Sequence, residues 1–204
     1  MKKRSSITLF VLLVFIVPLT AYALLNVYER RWEKLPVYAS GRPVADFTLT
    51  NQDGKEVSTA LWSNKIVVSN FFFSHCPVVC PKMMANLKRV NISLQGDKEI
   101  LINSFSVDPE RDSVARLKKY ADQFGIDTRQ WDLLTGQKKD IYKLARNSFM
   151  VVATDGDGGP ADFIHSDKLV LIDKQKRIRG YYDGTSETET NQLLLDIKKL
   201  KHED

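Results

Sequence analysis

The two cysteines of this 204-residue chain, Cys76 and Cys80, lie in one run, Ser74-His75-Cys76-Pro77-Val78-Val79-Cys80-Pro81-Lys82. Two are too few for a disulfide-rich scaffold or a four-cysteine zinc module, so one pair has one job. Pro81 suits the first position of a helix, where a missing N–H costs nothing, and it pushes Cys80 out of helical geometry. Cys80 is therefore expected at the cap with Cys76 in the loop before it. Unpaired N–H groups and the positive end of the helix dipole favour thiolate there, so both thiols should be reactive. The C-x-x-x-C spacing is one residue wider than that of thioredoxin-like redox pairs and leaves space for an ion between the sulfurs. Two structural readings compete. One is a small disulfide loop, whose stabilising effect shrinks with loop length; the other is a pair of buried thiols packing as small hydrophobes. The coincidence of strand end, Pro-bracketed pair and helix start favours chemistry.

A third donor must come from elsewhere in the chain, which has three histidines. His202 belongs to a charged tail, and His75 adjoins Cys76 at a strand end, where neighbouring side chains point to opposite faces. His165, in Asp162-Phe163-Ile164-His165-Ser166-Asp167 between a Gly-rich loop and an apolar strand, is the best candidate. Taken alone, a histidine at a loop end is ordinarily a hydrogen-bonding residue. Two thiolates and one imidazole make a soft, low-coordinate set suited to Cu(I), and able to hold Cu(II) with a further donor. Structural zinc would want a fourth protein ligand.

The elements that must position these residues alternate between strand and helix. Residues 47–50 and 55–58 flank Asn51-Gln52-Asp53-Gly54 as a hairpin. Residues 66–73 are too continuously apolar for a half-exposed strand and read as a central one, buried on both faces. After the cysteine run come a helix at 83–94, a strand at 100–107, a helix at 113–124 stopped by Gly125, a strand at 131–135 and a helix at 138–147. A short strand at 149–153, a Gly-rich loop at 154–160, a hairpin of 169–173 with 177–182, and an amphipathic helix at 187–200 complete the chain. The expected class is α/β, a sheet with helices on both faces.

Of the 30 basic residues, Lys2, Lys3 and Arg4 precede an uncharged run from Ile7 to Leu25, which leaves the remainder close to balance against 25 acidic residues. That argues against nucleic acid as a partner. The run is 19 residues long, near the roughly 20 that cross a bilayer as a helix. The positive-inside rule places everything after Leu25 outside the cytoplasm. An uncleaved single-pass anchor is expected. A signal peptide cleaved after Ala21-Tyr22-Ala23 is the competing reading, and it exports the same domain. The organisation read from the chain is an anchor at 1–25, a tether at 26–42 and one domain at 43–204.

Three runs in order carry a resemblance. Asn70-Phe71-Phe72-Phe73-Ser74-His75-Cys76-Pro77-Val78-Val79-Cys80-Pro81-Lys82-Met83, then Ser106-Val107-Asp108-Pro109-Glu110-Arg111-Asp112, then His165-Ser166-Asp167-Lys168-Leu169-Val170-Leu171-Ile172-Asp173 together resemble the Sco/SenC family. The resemblance implies a thioredoxin-like fold with an N-terminal β-hairpin behind a single transmembrane helix. It implies copper, Cu(I) or Cu(II), held by Cys76, Cys80 and His165. It also implies a role in building the dinuclear copper centre of cytochrome c oxidase, so that the partner is the copper-accepting oxidase subunit or another exported thiol protein. Asp108 and Arg111 match the family's D-P-x-R-D motif, where loop ordering or partner contact is expected. Val78 and Val79 stand where many members carry Asp in the cysteine loop, and Phe71-Phe72-Phe73 replaces a Gly-Tyr-Thr type of approach. The alternative function is a thiol–disulfide reductase using Cys76 and Cys80. A peroxidase is disfavoured because a Pro-x-x-x-Thr-x-x-Cys motif is missing.

Overall fold

A computed structural model describes residues 10–32, 34–77, 79–152, 159, 164 and 166–203. They fall into two compact units, one ending at Lys34 and the other spanning Leu35–His202. In the first, the chain is helical from Phe10, passes through a π-helical turn at Leu12–Ile16 and continues as α1 (Val17–Trp32). The expected span begins at Ile7, outside the described residues. Among those described, no helix is long and apolar enough to cross a membrane. The π turn divides the apolar stretch, and the 16 residues of α1 run into Glu29, Arg30 and Arg31.

The second unit is a seven-stranded sheet in the order β2-β1-β5-β4-β3-β6-β7. The strands are β1 (Thr48–Asn51), β2 (Glu56–Ser58), β3 (Ile66–Phe72), β4 (Ile100–Ser106), β5 (Trp131–Thr135), β6 (Lys168–Ile172) and β7 (Ile178–Asp183). β3, β4 and β5 are parallel neighbours, β6 runs antiparallel to β3, and the β1–β2 and β6–β7 hairpins close the two ends. The first hairpin turns where the sequence predicts: the Asn51 side chain accepts the N–H groups of Asp53 and Lys55, and Gly54 supplies a φ of +74°.

Every residue of β3 is buried, as a central strand requires. Ile66, Val68 and Phe72 face a core shared with α2 (Val79–Ser93), α3 (Val114–Phe124) and α5 (Glu187–His202). Val67 and Phe71 face the opposite core, built with α4 (Lys138–Lys143) and its π-helical continuation, Leu144–Ser148. α3 starts at the Ser113 cap, whose hydroxyl accepts Arg116 N–H, and stops at Gly125 in the left-handed region.

Three boundaries differ from the sequence reading. α2 starts at Val79 rather than Met83, which makes Cys80 a residue of its first turn and Pro81 the third helical residue. Proline is tolerated there because the first four N–H groups of a helix have no partner within it. Residues 149–152 form no strand. Phe149 instead continues the helical turn into the core, and Val151 N–H bonds Ala145 O across it, so the backbone is already satisfied. Finally, from Leu35 onward the stretch read as a tether joins the compact unit. The buried Arg179 guanidinium, paired with Asp173, donates to Leu35 O at 2.6 Å and Pro36 O at 3.1 Å, and Tyr38 N–H bonds Ile178 O on the open edge of β7. An unpaired edge and a buried cation recruit that backbone.

Candidate metal centre

β3 delivers the chain to the end of the sheet at Phe72, and the cysteine run follows as a turn in which Cys76 N–H bonds Phe73 O at 3.2 Å. One buried carboxyl group fixes this turn. Asp112 accepts Ser74 N–H at 3.0 Å, the Ser74 hydroxyl at 2.5 Å and the Ser106 hydroxyl at 2.6 Å, which joins the turn to the end of β4. Arg116 Nε, from α3, donates to Ser74 Oγ at 3.0 Å. Asp112 is the last residue of the D-P-x-R-D run and the one sequence reasoning passed over; the paired acid at the motif's end was the signal. Asp108 and Arg111 form an ion pair at 3.8 Å, while Asp108 O accepts Asp112 N–H at 2.9 Å and so shapes the turn that presents Asp112.

Beneath the turn a second buried network seats α2. Asn70 accepts the Ser104 hydroxyl at 2.5 Å and directs its amide at the sulfurs of Met83 and Met84, each at 3.8 Å. Trp131 Nε1 in turn donates to Ser104 Oγ at 2.8 Å. With its polar atoms matched in this way, Asn70 is accommodated in the strand interior and sets the height of the helix start.

The two cysteines are brought together as thiols, and Cys80 N–H donates to Cys76 Sγ at 3.3 Å. Cys76 therefore caps α2 with its sulfur, whereas the sequence reading expected Cys80 at the cap. The expectation that both thiols favour thiolate is corrected at Cys80. That side chain is only 5% exposed, and burial pushes its thiol up to about 12. A backbone hydrogen bond with Phe73 opposes the rise, while Cys76 and Asp112 add to it. Desolvation outweighs the helix dipole once the sulfur lies in the core beside Met83 and Leu87.

Cys76 and Cys80 line a cleft of about 560 Å³. Its near wall is Phe71, Phe72, Phe73, Pro77 and Val79; its far wall is Val107, Val151, Ile164, Ser166, Asp167 and Lys168. Val79, exposed at the mouth of the cleft, makes the rim apolar. His165 itself lies outside the described residues, but Ile164 and Ser166 on either side of it both face this cleft. His75 takes another role. Half exposed at 46%, it meets Ser74 Oγ at 3.2 Å and Asp112 at 3.8 Å. His202 ends α5 on the surface. Among the described residues, no three His, Cys, Asp or Glu side chains form a metal-binding group.

Comparison with known proteins gives a consistent result. The profile of one family, SCO1/SenC, matches residues 39–202. The SCO1 protein homolog of Bacillus subtilis (strain 168) is 31% identical over 157 residues, covering 76% of this chain and 81% of its own length. The structure of BsSco, described as a member of the Sco family of cytochrome c oxidase assembly proteins with a disulfide switch, matches with a TM-score of 0.70 at 29% identity, over 84% of this chain and 98% of that one. Bradyrhizobium japonicum ScoI with copper bound matches with a TM-score of 0.63 at 26% identity, over 78% and 99%. The α/β sheet is thus the thioredoxin-like fold that the sequence motifs imply.

Proposed function

The chain belongs to the SCO1/SenC family, and from that premise we propose that it is a membrane-tethered copper-binding assembly factor. In this reading Cys76, Cys80 and His165 hold copper for transfer to the dinuclear centre of a cytochrome c oxidase subunit. One observation carries the proposal: both thiols open into the cleft that is also lined by the residues on either side of position 165. The donor chemistry fits. Two soft sulfurs in a largely apolar cleft suit Cu(I), and the phenylalanine and valine walls keep water from competing for it. Relatives with copper bound support the same cargo. The reduced full-length chain should bind one Cu(I) in competition with a chromophoric chelator. Cys76→Ser or Cys80→Ser should abolish tight binding, and His165→Ala should weaken it. Equal retention by all three variants would overturn the ligand set.

The difference in exposure between the two thiols favours a second reading, thiol–disulfide reduction. Cys76 is half-buried and reachable; Cys80 is buried beneath it. Cys76 thiolate would attack a partner disulfide to form a mixed disulfide and expel one partner thiolate. Cys80 would then lose its proton and attack the Cys76 sulfur, releasing the second partner thiol. The partner gains two electrons and two protons, and the Cys76–Cys80 disulfide remains. This route needs no histidine, so a His165→Ala variant that reduces a partner disulfide at the full rate while holding copper poorly separates the two functions.

The anchor reading rests on the uncharged run Ile7–Leu25 behind Lys2, Lys3 and Arg4, and on apolar side chains from Phe10 to Leu25 that are exposed all round the helix. It places the second unit on the extracytoplasmic side of the cytoplasmic membrane. Intact-mass measurement of the native protein tests it: a chain beginning at Leu24 would refute the anchor and keep the export.

A further inference from the structure

Two residues outside the three motifs reach the far wall of the cleft. Tyr142, on α4, is fully buried, and its hydroxyl donates to Val107 O at 2.9 Å. Ile164 N–H points back to the same hydroxyl at 3.5 Å. Val107 and Ile164 both line the cysteine cleft. A phenol oxygen can donate to one segment and accept from another at once, so this single group ties the end of β4 to the residue that enters position 165. One helical turn earlier, Lys138 donates to Gly159 O at 2.8 Å, and its ammonium lies 5.1 Å from the centre of the Tyr142 ring. Arg146 lies 5.5 Å from that ring. The two cations, at the i−4 and i+4 positions around Tyr142, flank the phenol and hold its orientation.

We infer that Lys138 and Tyr142 are positioning residues of the copper site: they pin the segment entering position 165, at Gly159 and at Ile164, to the wall opposite the thiols. This deepens the copper reading above and rests on it for the identity of the ligand. The physical reason lies in the chain's path. Cys76 and Cys80 are fixed by their own turn and helix, whereas Gly159 and Ile164 are each bonded to a side chain of α4. Bonds from α4 at these two residues lower the entropy lost when the neighbouring ligand is ordered on copper.

The test is Cu(I) competition on the reduced full-length chain, paired with amide hydrogen exchange on the copper-free protein. Tyr142→Phe should lower Cu(I) affinity about tenfold, the lower end of what outer partners of metal ligands contribute. Lys138→Met should act in the same direction and by less. In a His165→Ala background Tyr142→Phe should change affinity less than about twofold, because the ligand it positions is gone. Exchange at Ile164 N–H should accelerate at least about tenfold. Tyr182→Phe, which removes another buried hydroxyl, bonded to Asp196 in the opposite core, controls for general loosening and should leave affinity unchanged. An equal loss of affinity from Tyr142→Phe with and without His165, or from Tyr182→Phe, would overturn the inference. If His165→Ala alone leaves copper binding intact, the ligand reading falls instead. Exchange at Ile164 then decides the anchor by itself: acceleration supports it and an unchanged rate refutes it.

Discussion

The two walls of the cleft are built by different means. The thiol wall is local in sequence: strand end, turn and helix start follow one another from Phe72 to Val79, and the buried Asp112 gathers three hydrogen bonds to lock them. The far wall is assembled from distant pieces, Val107, Val151, Ile164 and Ser166, held by side chain-to-backbone bonds from α4. It also carries strain. Met150, next to Val151, sits at a φ of +52° with its side chain 53% exposed, a conformation that a side chain with a β-carbon disfavours.

Three perturbations sharpen or break this comparison. The largest effect should follow Asp112→Ala, which strands two hydroxyls and one backbone N–H in a buried site. We expect a loss of about 3 kcal/mol, read as a fall of roughly 10 °C in melting temperature. A variant that melts within about 2 °C of the parent would show that the thiol wall does not depend on this carboxyl.

Next in size is the difference between the thiols. A group moved from 9.0 to about 12 presents roughly a thousandfold less thiolate at neutral pH than an unshifted one. Its greater nucleophilicity recovers part of that, which leaves Cys80 slower by about 30-fold before access is counted. Single-hit alkylation followed by peptide mass analysis should therefore label Cys76 first. In Cys76→Ser, labelling of Cys80 should rise about tenfold per pH unit from pH 7 to 10 without a plateau, because the neutral form persists until pH approaches 12. A plateau near pH 9 would mean that burial does not control this thiol. Once joined as a disulfide, neither sulfur is a thiolate ligand, so the oxidised protein should take up no stoichiometric copper.

The smallest effect tests the strained wall. Met150→Gly relieves the left-handed backbone at an exposed position and should stabilise the protein by about 1 kcal/mol, against the usual sense of a glycine substitution. Denaturant unfolding at constant m-value reads it directly. Destabilisation would mean that the thioether makes contacts worth more than the strain.

Much of this was legible in the chain. The seven strands, the two end hairpins, the central position of residues 66–72 and the stop at Gly125 follow from local patterns: continuous apolarity for a strand buried on both faces, turn residues at fixed offsets, and a glycine where φ is positive. The motif residues Cys76 and Cys80 were recognisable as a pair because four residues at a strand–helix junction cannot separate them. What the sequence alone left open depends on residues far apart in the chain. The start of α2 shifted because Cys76 Sγ, by accepting Cys80 N–H, allowed the helix to begin before Pro81. The rise in the Cys80 pKa required the core around it, contributed by α3, α5 and β6 as well as its own helix. Asp112 became the organiser of the thiol turn only when β4 placed it against Ser74, 38 residues away. Tyr142 reads in sequence as one residue of the helix at 138–147. Its hydroxyl acquires a task only where the topology of the sheet sets Val107 and Ile164 on either side of it, since donor and acceptor geometry is a property of three-dimensional neighbours rather than of order along the chain.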